Sequence, residues 1–257
     1  MAWNPEDYLK YADHRLRPAL DLLARIPVER PGVICDLGCG AGNVTRLLAR
    51  RWPGGAVVGV DSSAAMLAAA RAADGTDDVS WERADLAAWS PPRPAGLLFS
   101  NAALHWLDDH ATLFPRLLGQ LAPGGVLAVQ MPRNHGAPSH IGITEAATAG
   151  PWRRRLEPLL RPAPVAEPSF YYDVLAARTA ALDIWETEYL HVLSGDDPVL
   201  RWTRSTALAP LVAALAGDEQ AAFVADYAAR LRRAYPRRAD GTTLFPFRRL
   251  FIVARRP

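Results

Sequence analysis

Val33-Ile-Cys-Asp-Leu-Gly-Cys-Gly-Ala-Gly42 joins a short apolar run to a loop that has glycine at every second position. The apolar run predicts a buried β-strand, and residues 44–51 predict the helix that leaves the loop. Gly38, Gly40 and Gly42 permit positive φ and leave the backbone without Cβ atoms, so a ligand can lie against it. The stretch therefore predicts a strand, loop and helix that open a binding site.

Two side chains in and beside this loop discriminate between ligands. A dinucleotide-binding loop needs Gly or Ala at the last position of G-x-G-x-x-G, and Asn43 stands there. Asp36 would repel a phosphate, whereas the ammonium and sulfonium groups make the methionine end of S-adenosylmethionine cationic. The loop therefore favours S-adenosylmethionine over a nicotinamide dinucleotide. A strand-to-helix turn that only packs closely is the alternative.

Length and composition restrict the remaining possibilities. The chain has 257 residues, half of them hydrophobic, and a formal net charge of +2, so it can bury a large core and presents no overall basic charge for nucleic acid. Cys35 and Cys39 are the two cysteines, too few for a thiolate metal site or a disulfide framework. The amino terminus lacks signal-peptide features, and no apolar run is long enough to span a membrane. We expect a soluble cytoplasmic protein that needs no metal.

Strands alternate with helices through the first half of the chain. A leading helix is predicted at 15–24, and the Pro53-Gly54-Gly55 turn ends the helix after the glycine loop. The predicted strands are 33–37, 56–61, 79–82, 96–100 and 126–130, the last one after the turn Pro123-Gly124-Gly125. This pattern indicates a mainly parallel sheet covered by helices on both faces, which is a doubly wound α/β fold.

The second half of the chain interrupts this alternation. No strand is predicted in residues 133–168. The elements predicted after them are a helix at 171–181 and a strand at 182–192. Helices at 200–215 and 218–235 and a last strand at 244–254 follow. We expect one domain with a core of about 1–132, 169–193 and 243–257. The insertions, about 133–168 and 194–242, are predicted to form a helical substrate cap, because ligands of open α/β sheets bind beyond the carboxyl ends of the strands.

Further acids follow the second and third strands. Asp61 lies 19 residues after Gly42, near the spacing at which an acid binds both ribose hydroxyls, although an aspartate followed by serine is also an ordinary helix cap. Ser62 or Ser63 can cap the next helix, and Met66 could pack on adenine or simply belong to the core.

Asp85 and Leu86 follow the third strand. The Asp85 carboxylate could accept a hydrogen bond from the adenine amine, and the Leu86 backbone N–H could donate to a ring nitrogen. A loop aspartate is also a common turn former. The order of these acids along the chain favours the nucleoside interpretation.

The motifs together resemble the class I S-adenosylmethionine-dependent methyltransferases. The resemblance rests on Asp36 to Gly42, Asp61, Ala84-Asp85-Leu86, Phe99-Ser-Asn-Ala-Ala-Leu-His-Trp106 and Leu121-Ala-Pro-Gly-Gly125. It implies a seven-stranded sheet in the order 3-2-1-4-5-7-6 with strand 7 antiparallel, in which 182–192 is strand 6 and 244–254 is strand 7. The cofactor-binding residues that follow are Asp36, Gly38, Gly40, Gly42, Asp61, Ser62, Met66, Asp85, Leu86 and Asn101.

A narrower resemblance covers nearly the whole chain and is to the trans-aconitate 2-methyltransferase family. It is carried by Trp3-Asn-Pro, Asn101-Ala102, Leu127-Ala-Val-Gln-Met-Pro132 and Arg249-Leu-Phe-Ile-Val-Ala-Arg-Arg256, among other stretches. It implies methyl transfer to a carboxylate of trans-aconitate, giving the monomethyl ester and S-adenosylhomocysteine without a metal. The chain departs from the family pattern with Ala41 in place of the common Pro and with His105 in place of Gln.

If the acceptor is a tricarboxylate, its charge and shape predict how it is bound and methylated. Its carboxylates are already ionised at neutral pH, so no general base is required and positioning should dominate catalysis. Arginine binds carboxylates through two parallel hydrogen bonds, and tyrosine, histidine and tryptophan add single donors. The substrate-binding candidates are Tyr8, Arg17, His105, Trp106, Tyr172, Trp202 and Arg249, with His105 and Trp106 as the positioning candidates. Surface, structural or core roles are the alternatives for all of them, and Arg17 could instead hold the carboxylate of the cofactor.

Two other functions stay open on the sequence alone. The chain could methylate another small-molecule oxygen, nitrogen or carbon acceptor, with His105 as a general base, or it could bind S-adenosylmethionine without catalysis. We expect a monomer or weak dimer with a small-molecule substrate and no nucleic-acid or membrane partner.

Overall fold

The computed structural model describes residues 12–73 and 79–257. Seven strands form one sheet in the order β3-β2-β1-β4-β5-β7-β6, with β7 antiparallel to β5, which confirms the expected fold. The pairs β1–β2, β1–β4, β2–β3 and β4–β5 are parallel. The strands are β1 Val33–Leu37, β2 Ala56–Asp61, β3 Val79–Arg83, β4 Ala95–Asn101, β5 Leu121–Pro132, β6 Ala181–Ser194 and β7 Thr242–Arg255.

Ten α-helices are described. They are α1 Ala12–Ala24, α2 Asn43–Arg51, α3 Ala64–Ala72, α4 His110–Gly119, α5 Pro138–Ala149, α6 Arg153–Leu156, α7 Pro168–Leu175, α8 Pro198–Arg204, α9 Ala209–Ala213 and α10 Gly217–Ala234. Three single 3-10 turns lie at Leu104–Trp106, Glu157–Leu159 and Ala176–Arg178.

Three predicted boundaries were wrong. β5 begins at Leu121 instead of 126, because the Pro123-Gly124-Gly125 stretch continues the strand through a register shift against β4. The predicted helix 171–181 ends at Leu175 and is followed by a 3-10 turn. The predicted helix 200–215 is two short helices, since Pro210 has no N–H to continue a helix and instead stands in the first turn of α9.

The described chain divides into two compact units. The sheet unit comprises Arg15–Pro132, Pro164–Thr187 and Arg249–Pro257, and the helical unit is formed mainly by Arg133–Ala163 and Glu188–Arg248. The helical unit therefore includes the end of β6 and the beginning of β7, which the predicted cap boundaries left in the core. Its role as a substrate cap stays a prediction.

A large apolar cluster is buried in the sheet unit. Leu98, Leu127 and Leu250 come from the sheet, and Phe114 and Tyr171 come from α4 and α7. Fully burying such a side chain stabilises the fold by about 1.5–3 kcal/mol. The cluster fixes the strands whose carboxyl ends carry the predicted site residues.

The helical unit has a separate, aromatic core. Trp202 is only 3% exposed, and its ring lies 5.8 Å from Phe245 and 5.6 Å from Phe247 between centroids. The Tyr227 hydroxyl donates to the Ser139 carbonyl at 2.9 Å and ties α10 to α5. Aromatic packing of this kind gives the unit its own stabilising centre.

Candidate active site

The glycine loop after β1 is fixed to the end of β2. The backbone N–H groups of Gly38 and Cys39 donate to the Val60 carbonyl at 2.8 and 3.0 Å. A Cβ at Gly38 would lie 2.1 Å from the Ala103 Cβ, and one at Gly42 would lie 2.3 Å from the Trp81 ring. Both glycines have positive φ, 76° and 79°. Any side chain at these two positions would therefore displace Ala103, in the segment after β4, or Trp81, as well as straining the backbone.

Asp36 lies at the end of β1 and is 2% exposed. Its Oδ2 atom accepts a hydrogen bond from the Thr45 hydroxyl at 2.6 Å. Burial raises the pKa of Asp36 to about 7; the Thr45 hydrogen bond opposes the rise, and the negative charge of Asp61 adds to it. A cation placed nearby would favour the ionised carboxylate, so the site suits a positively charged ligand better than an anion.

Asp61 uses both carboxylate oxygens to organise the loop. Oδ2 accepts from the Gly40 backbone N–H at 2.9 Å, and Oδ1 accepts from the Ser63 backbone N–H at 2.8 Å. Each oxygen keeps a further lone pair that could accept from a ribose hydroxyl. Ser63 is the helix cap, because its hydroxyl accepts from the Met66 N–H at 3.3 Å, while Ser62 is exposed. The ribose and adenine contacts of Asp61, Ser62 and Met66 stay predictions.

Asp85 and Leu86 lie in the loop after β3. The exposed Asp85 carboxylate accepts from the Ala87 N–H at 2.9 Å, which is the turn-forming role. The Leu86 side chain packs on the core of the sheet unit, and its carbonyl accepts from Arg116 Nη2 at 2.7 Å. These contacts leave the Asp85 Oδ2 atom and the Leu86 N–H for the predicted adenine interaction.

The exit from β4 carries the residues that were predicted to position an acceptor. Ala102, directly after the strand, has a φ of 55°, and its N–H donates to the Gln130 carbonyl at 2.9 Å. The 3-10 turn that follows contains His105 and Trp106, whose ring centroids lie 4.7 Å apart. Trp106 is 51% exposed, so a large aromatic face is available to a ligand here.

A buried histidine and a buried tyrosine hold this turn in place through hydrogen bonds. His110 Nε2 lies 3.1 Å from the Leu104 carbonyl, and His110 Nδ1 lies 2.7 Å from the Tyr171 hydroxyl. Because the carbonyl only accepts, Nε2 carries the proton and Nδ1 accepts from Tyr171. Burial lowers the pKa of His110, which maintains this neutral form. Neither residue was predicted to support the site, since they are 61 positions apart in the chain.

A second polar group lies on the neighbouring strands. Arg249 on β7 is buried, and its Nη1 atom donates to Gln130 Oε1 on β5 at 3.3 Å. Asn101 on β4 is in register with Gln130, and Arg249 is in register with Pro132. Register pairs in a sheet share a face, so Asn101, Gln130 and Arg249 line one face near the carboxyl ends of β4 and β5. Gln130 was not among the predicted site residues.

The other predicted substrate contacts lie in different surroundings. Arg17 is exposed on α1, and Tyr172 is 59% exposed on α7. Trp202 is packed in the core of the helical unit, and its contact with substrate stays a prediction. Tyr8 lies outside the described residues. Within the sheet unit, the structure therefore brings Asn101, His105 and Trp106 together along one segment and joins Arg249 to Gln130.

Cys35 and Cys39 are buried free cysteines. Burial raises the pKa of the Cys35 thiol to about 12 and also raises the pKa of Cys39, so both remain neutral fillers. Within residues 12–73 and 79–257, no cluster of three or more His, Cys, Asp or Glu side chains is arranged to hold a metal ion. No helix in these ranges is long and apolar enough to cross a membrane.

Comparison with known proteins agrees with the geometry. The family described as "Methyltransferase domain" matches residues 34–125. Phosphoethanolamine N-methyltransferase 2 of Haemonchus contortus, solved in complex with phosphomonomethylethanolamine and S-adenosylhomocysteine, superposes with a TM-score of 0.54 at 17% identity. The match covers 94% of this chain and 53% of that one, and it establishes the likeness of fold.

Two relatives match at much higher identity. A trans-aconitate 2-methyltransferase of Azoarcus sp. is 50% identical over 98% of each chain. One of Streptomyces coelicolor is 49% identical over 99% of this chain and 87% of its own length. At this identity over nearly full length, the chain belongs to the trans-aconitate 2-methyltransferase family.

Proposed function

We propose that this protein transfers a methyl group from S-adenosylmethionine to a carboxylate of trans-aconitate. The observation that carries the proposal is the buried Arg249 and Gln130 pair beside the exit of β4, in a chain half identical to trans-aconitate 2-methyltransferases. A guanidinium fork is the side chain best suited to a carboxylate. The products are a monomethyl ester and S-adenosylhomocysteine.

The glycine loop and its acids fit S-adenosylmethionine. When bound, this cofactor supplies an electrophilic methyl group on a cationic sulfur. Asp36 favours the positive charge of the methionine end, and Asp61 retains acceptor capacity for the ribose hydroxyls. Gly40 supports the same assignment, because a Cβ built there would meet no described atom within 4 Å and the loop therefore has room for a ligand.

The chemistry requires no proton transfer. An oxygen of the acceptor carboxylate forms a bond to the methyl carbon while the bond between that carbon and sulfur breaks, and the electron pair stays on sulfur. A negative and a positive charge are consumed together, so a site poor in water favours the step. The task of this chain is to hold the carboxylate oxygen in line with the breaking bond, about 3 Å from the methyl carbon.

The residues at the exit of β4 are suited to that positioning task. His105 and Trp106 follow the strand, and the turn that carries them is held by His110 and Tyr171. Arg249 anchors a second carboxylate in this proposal. Tyr8, Arg17 and Tyr172 are the further proposed donors to the tricarboxylate, and the contact of Trp202 with substrate stays a prediction.

A methyl-transfer assay with mass analysis of the product tests the proposal. We expect a monomethyl ester from trans-aconitate and slower reaction with cis-aconitate, isocitrate and citrate. Formation of S-adenosylhomocysteine with none of these acids, despite tight cofactor binding, would overturn the assignment and favour a binding module.

Another acceptor is the second candidate, favoured by the place of His105 at the β4 exit. In that case His105 would remove a proton from the acceptor, and kcat/KM would fall as the pH drops below the pKa of the base. A carboxylate acceptor needs no such step. A pH–rate profile, compared between the protein and a His105→Gln variant, separates the two functions: only a general base makes the acidic limb disappear in the variant.

A further inference from the structure

Gln130 occupies a position that its packing alone does not explain. Its side chain is completely buried on β5, between Asn101 on β4 and Phe251 on β7. Arg249 Nη1 donates to its Oε1 atom at 3.3 Å. Because a guanidinium has no acceptor, the amide oxygen must face Arg249, and the orientation of the amide is fixed.

This orientation leaves the amide nitrogen for another partner. Gln130 Nε2 is buried and has no hydrogen-bond partner among the described residues. Asn101 Oδ1, on the neighbouring strand and the same face, is also buried without a described partner. Leaving a buried polar group unpaired costs about 1–3 kcal/mol, so such a group calls for an explanation, and a bound ligand is one.

We propose that Gln130 is a substrate-binding residue, whose amide nitrogen donates to the same non-reacting carboxylate of the substrate that Arg249 binds. The inference rests on the proposed function and adds a residue that selects which chemical class of acceptor binds. The amide oxygen of Gln130 accepts a hydrogen bond from the guanidinium of Arg249, and the amide nitrogen of Gln130 is left to donate to the substrate. Together they form a donor pair that a di- or tricarboxylate satisfies and a neutral acceptor does not.

The pair is suited to an anchoring carboxylate, distinct from the one that is methylated. Donors that stabilise a negative charge reduce the nucleophilicity of the oxygen that bears it, and the charge of the methylated group is lost in the reaction. An anchor that stays charged is bound equally in the ground state and the transition state. Loss of Gln130 should therefore raise KM for the acceptor and leave kcat little changed.

The test compares two substitutions of Gln130 with a matched control. Gln130→Glu keeps an oxygen for Arg249 and replaces the donor with an anionic acceptor, and Gln130→Leu removes both interactions at similar volume. Gln120→Glu is the control: Gln120 lies just before β5, donates to the Trp89 carbonyl at 3.2 Å, and also has a buried amide oxygen without a described partner.

Binding of trans-aconitate is measured by calorimetry with the full chain saturated with S-adenosylhomocysteine, and kcat and KM are measured in parallel. A lost hydrogen bond to a charged group predicts a rise of about tenfold to a hundredfold in Kd and KM for both Gln130 variants. The Gln120 variant should bind trans-aconitate as the unaltered protein does. Cofactor affinity should be unchanged in all three.

The outcomes separate this inference from the proposed function. An unaltered protein that binds trans-aconitate without methylating it contradicts the proposed activity but leaves the Gln130 comparison intact. Folded Gln130→Glu and Gln130→Leu proteins with Kd and KM within about twofold of the unaltered protein overturn the inference and assign the amide to internal packing or a buried water. Absence of tricarboxylate binding to the unaltered protein overturns both. If one variant does not fold, the other decides.

Discussion

Asp61 joins two parts of the cofactor site through one carboxylate. It accepts from the backbone N–H groups of Gly40 and Ser63, and so fixes the glycine loop against the start of α3. We predict that Asp61→Ala raises the Kd for S-adenosylmethionine by at least about tenfold, because the ribose acceptor and the loop anchor are lost together. Calorimetric titration measures the change.

A turn aspartate in the helical unit provides the control for this substitution. Asp240 accepts from the Thr242 N–H at 2.9 Å, so Asp240→Ala also removes a backbone anchor. Cofactor affinity should be retained in that protein. An Asp61→Ala protein that binds S-adenosylmethionine with unaltered Kd would disprove the ribose assignment.

Arg249 tests the acceptor side by a conservative change. Lysine supplies one point charge in place of the guanidinium fork, so Arg249→Lys keeps the charge and loses the paired donors. We predict that KM for trans-aconitate rises about tenfold or more while the Kd for S-adenosylmethionine is retained. Steady-state kinetics and calorimetry measure the two quantities, with the exposed Arg255→Lys as the control. Unchanged acceptor kinetics would remove Arg249 from the site.

Two helices hold the turn after β4 in place. They do so through His110 and Tyr171, neither of which is a predicted ligand contact. α4 supplies His110 and α7 supplies Tyr171, and the pair holds the Leu104 carbonyl. Tyr171→Phe removes the donor to His110 Nδ1 and leaves a buried acceptor unpaired, which should lower the free energy of unfolding by about 1–3 kcal/mol. We also predict a several-fold lower kcat with cofactor affinity retained, because His105 and Trp106 lose their fixed position.

Urea denaturation and steady-state kinetics measure these two effects. Tyr235→Phe is the control, since the Tyr235 hydroxyl accepts from the Ser139 N–H at 3.1 Å inside the helical unit. That protein should lose stability without the same loss of kcat. If Tyr171→Phe lowers stability alone, the tyrosine is structural and does not position the turn.

The elements differ in how far the sequence could predict them. β1 and its glycine loop were predictable because an apolar run followed by alternating glycines allows few conformations, and the order of the sheet followed from the resemblance to class I methyltransferases. The start of β5 was not predictable, because the glycines at 124 and 125 are typical of a turn. In the structure they lie in a strand that pairs with β4 in an irregular register. His110 and Gln130 were missed because their partners, Tyr171 and Arg249, are distant in sequence and become neighbours only in the fold.

The folded protein as a whole should respond to the charge state of Asp36. Its pKa rises from 3.8 to about 7 on folding, so over this range the native state holds a proton that the unfolded chain releases. The free energy of unfolding therefore falls with increasing pH, by about 1.4 kcal/mol per pH unit from this group. Below the unfolded-state pKa of Asp36, its effect on the free energy of unfolding vanishes. Above the folded-state pKa, the effect no longer changes with pH.

Asp36→Asn isolates this contribution, because all other titrating groups are shared. We predict that the stability difference in favour of the variant, measured by urea denaturation without ligand, grows between pH 4 and pH 7 and then levels off. The asparagine oxygen can still accept from Thr45. A difference that does not vary with pH would show that Asp36 ionises normally in the folded protein.

The segment between Ala102 and Asp109 is bounded by two left-handed residues, with φ values of 55° and 49°. The first is tied to β5 through its N–H, and the second caps α4 by accepting from the Thr112 N–H at 3.3 Å. The ends of this loop are thus set by backbone geometry and not by the side chains between them. Substitutions at residues 105 and 106 are therefore expected to change acceptor preference while the two ends of the segment keep their backbone geometry.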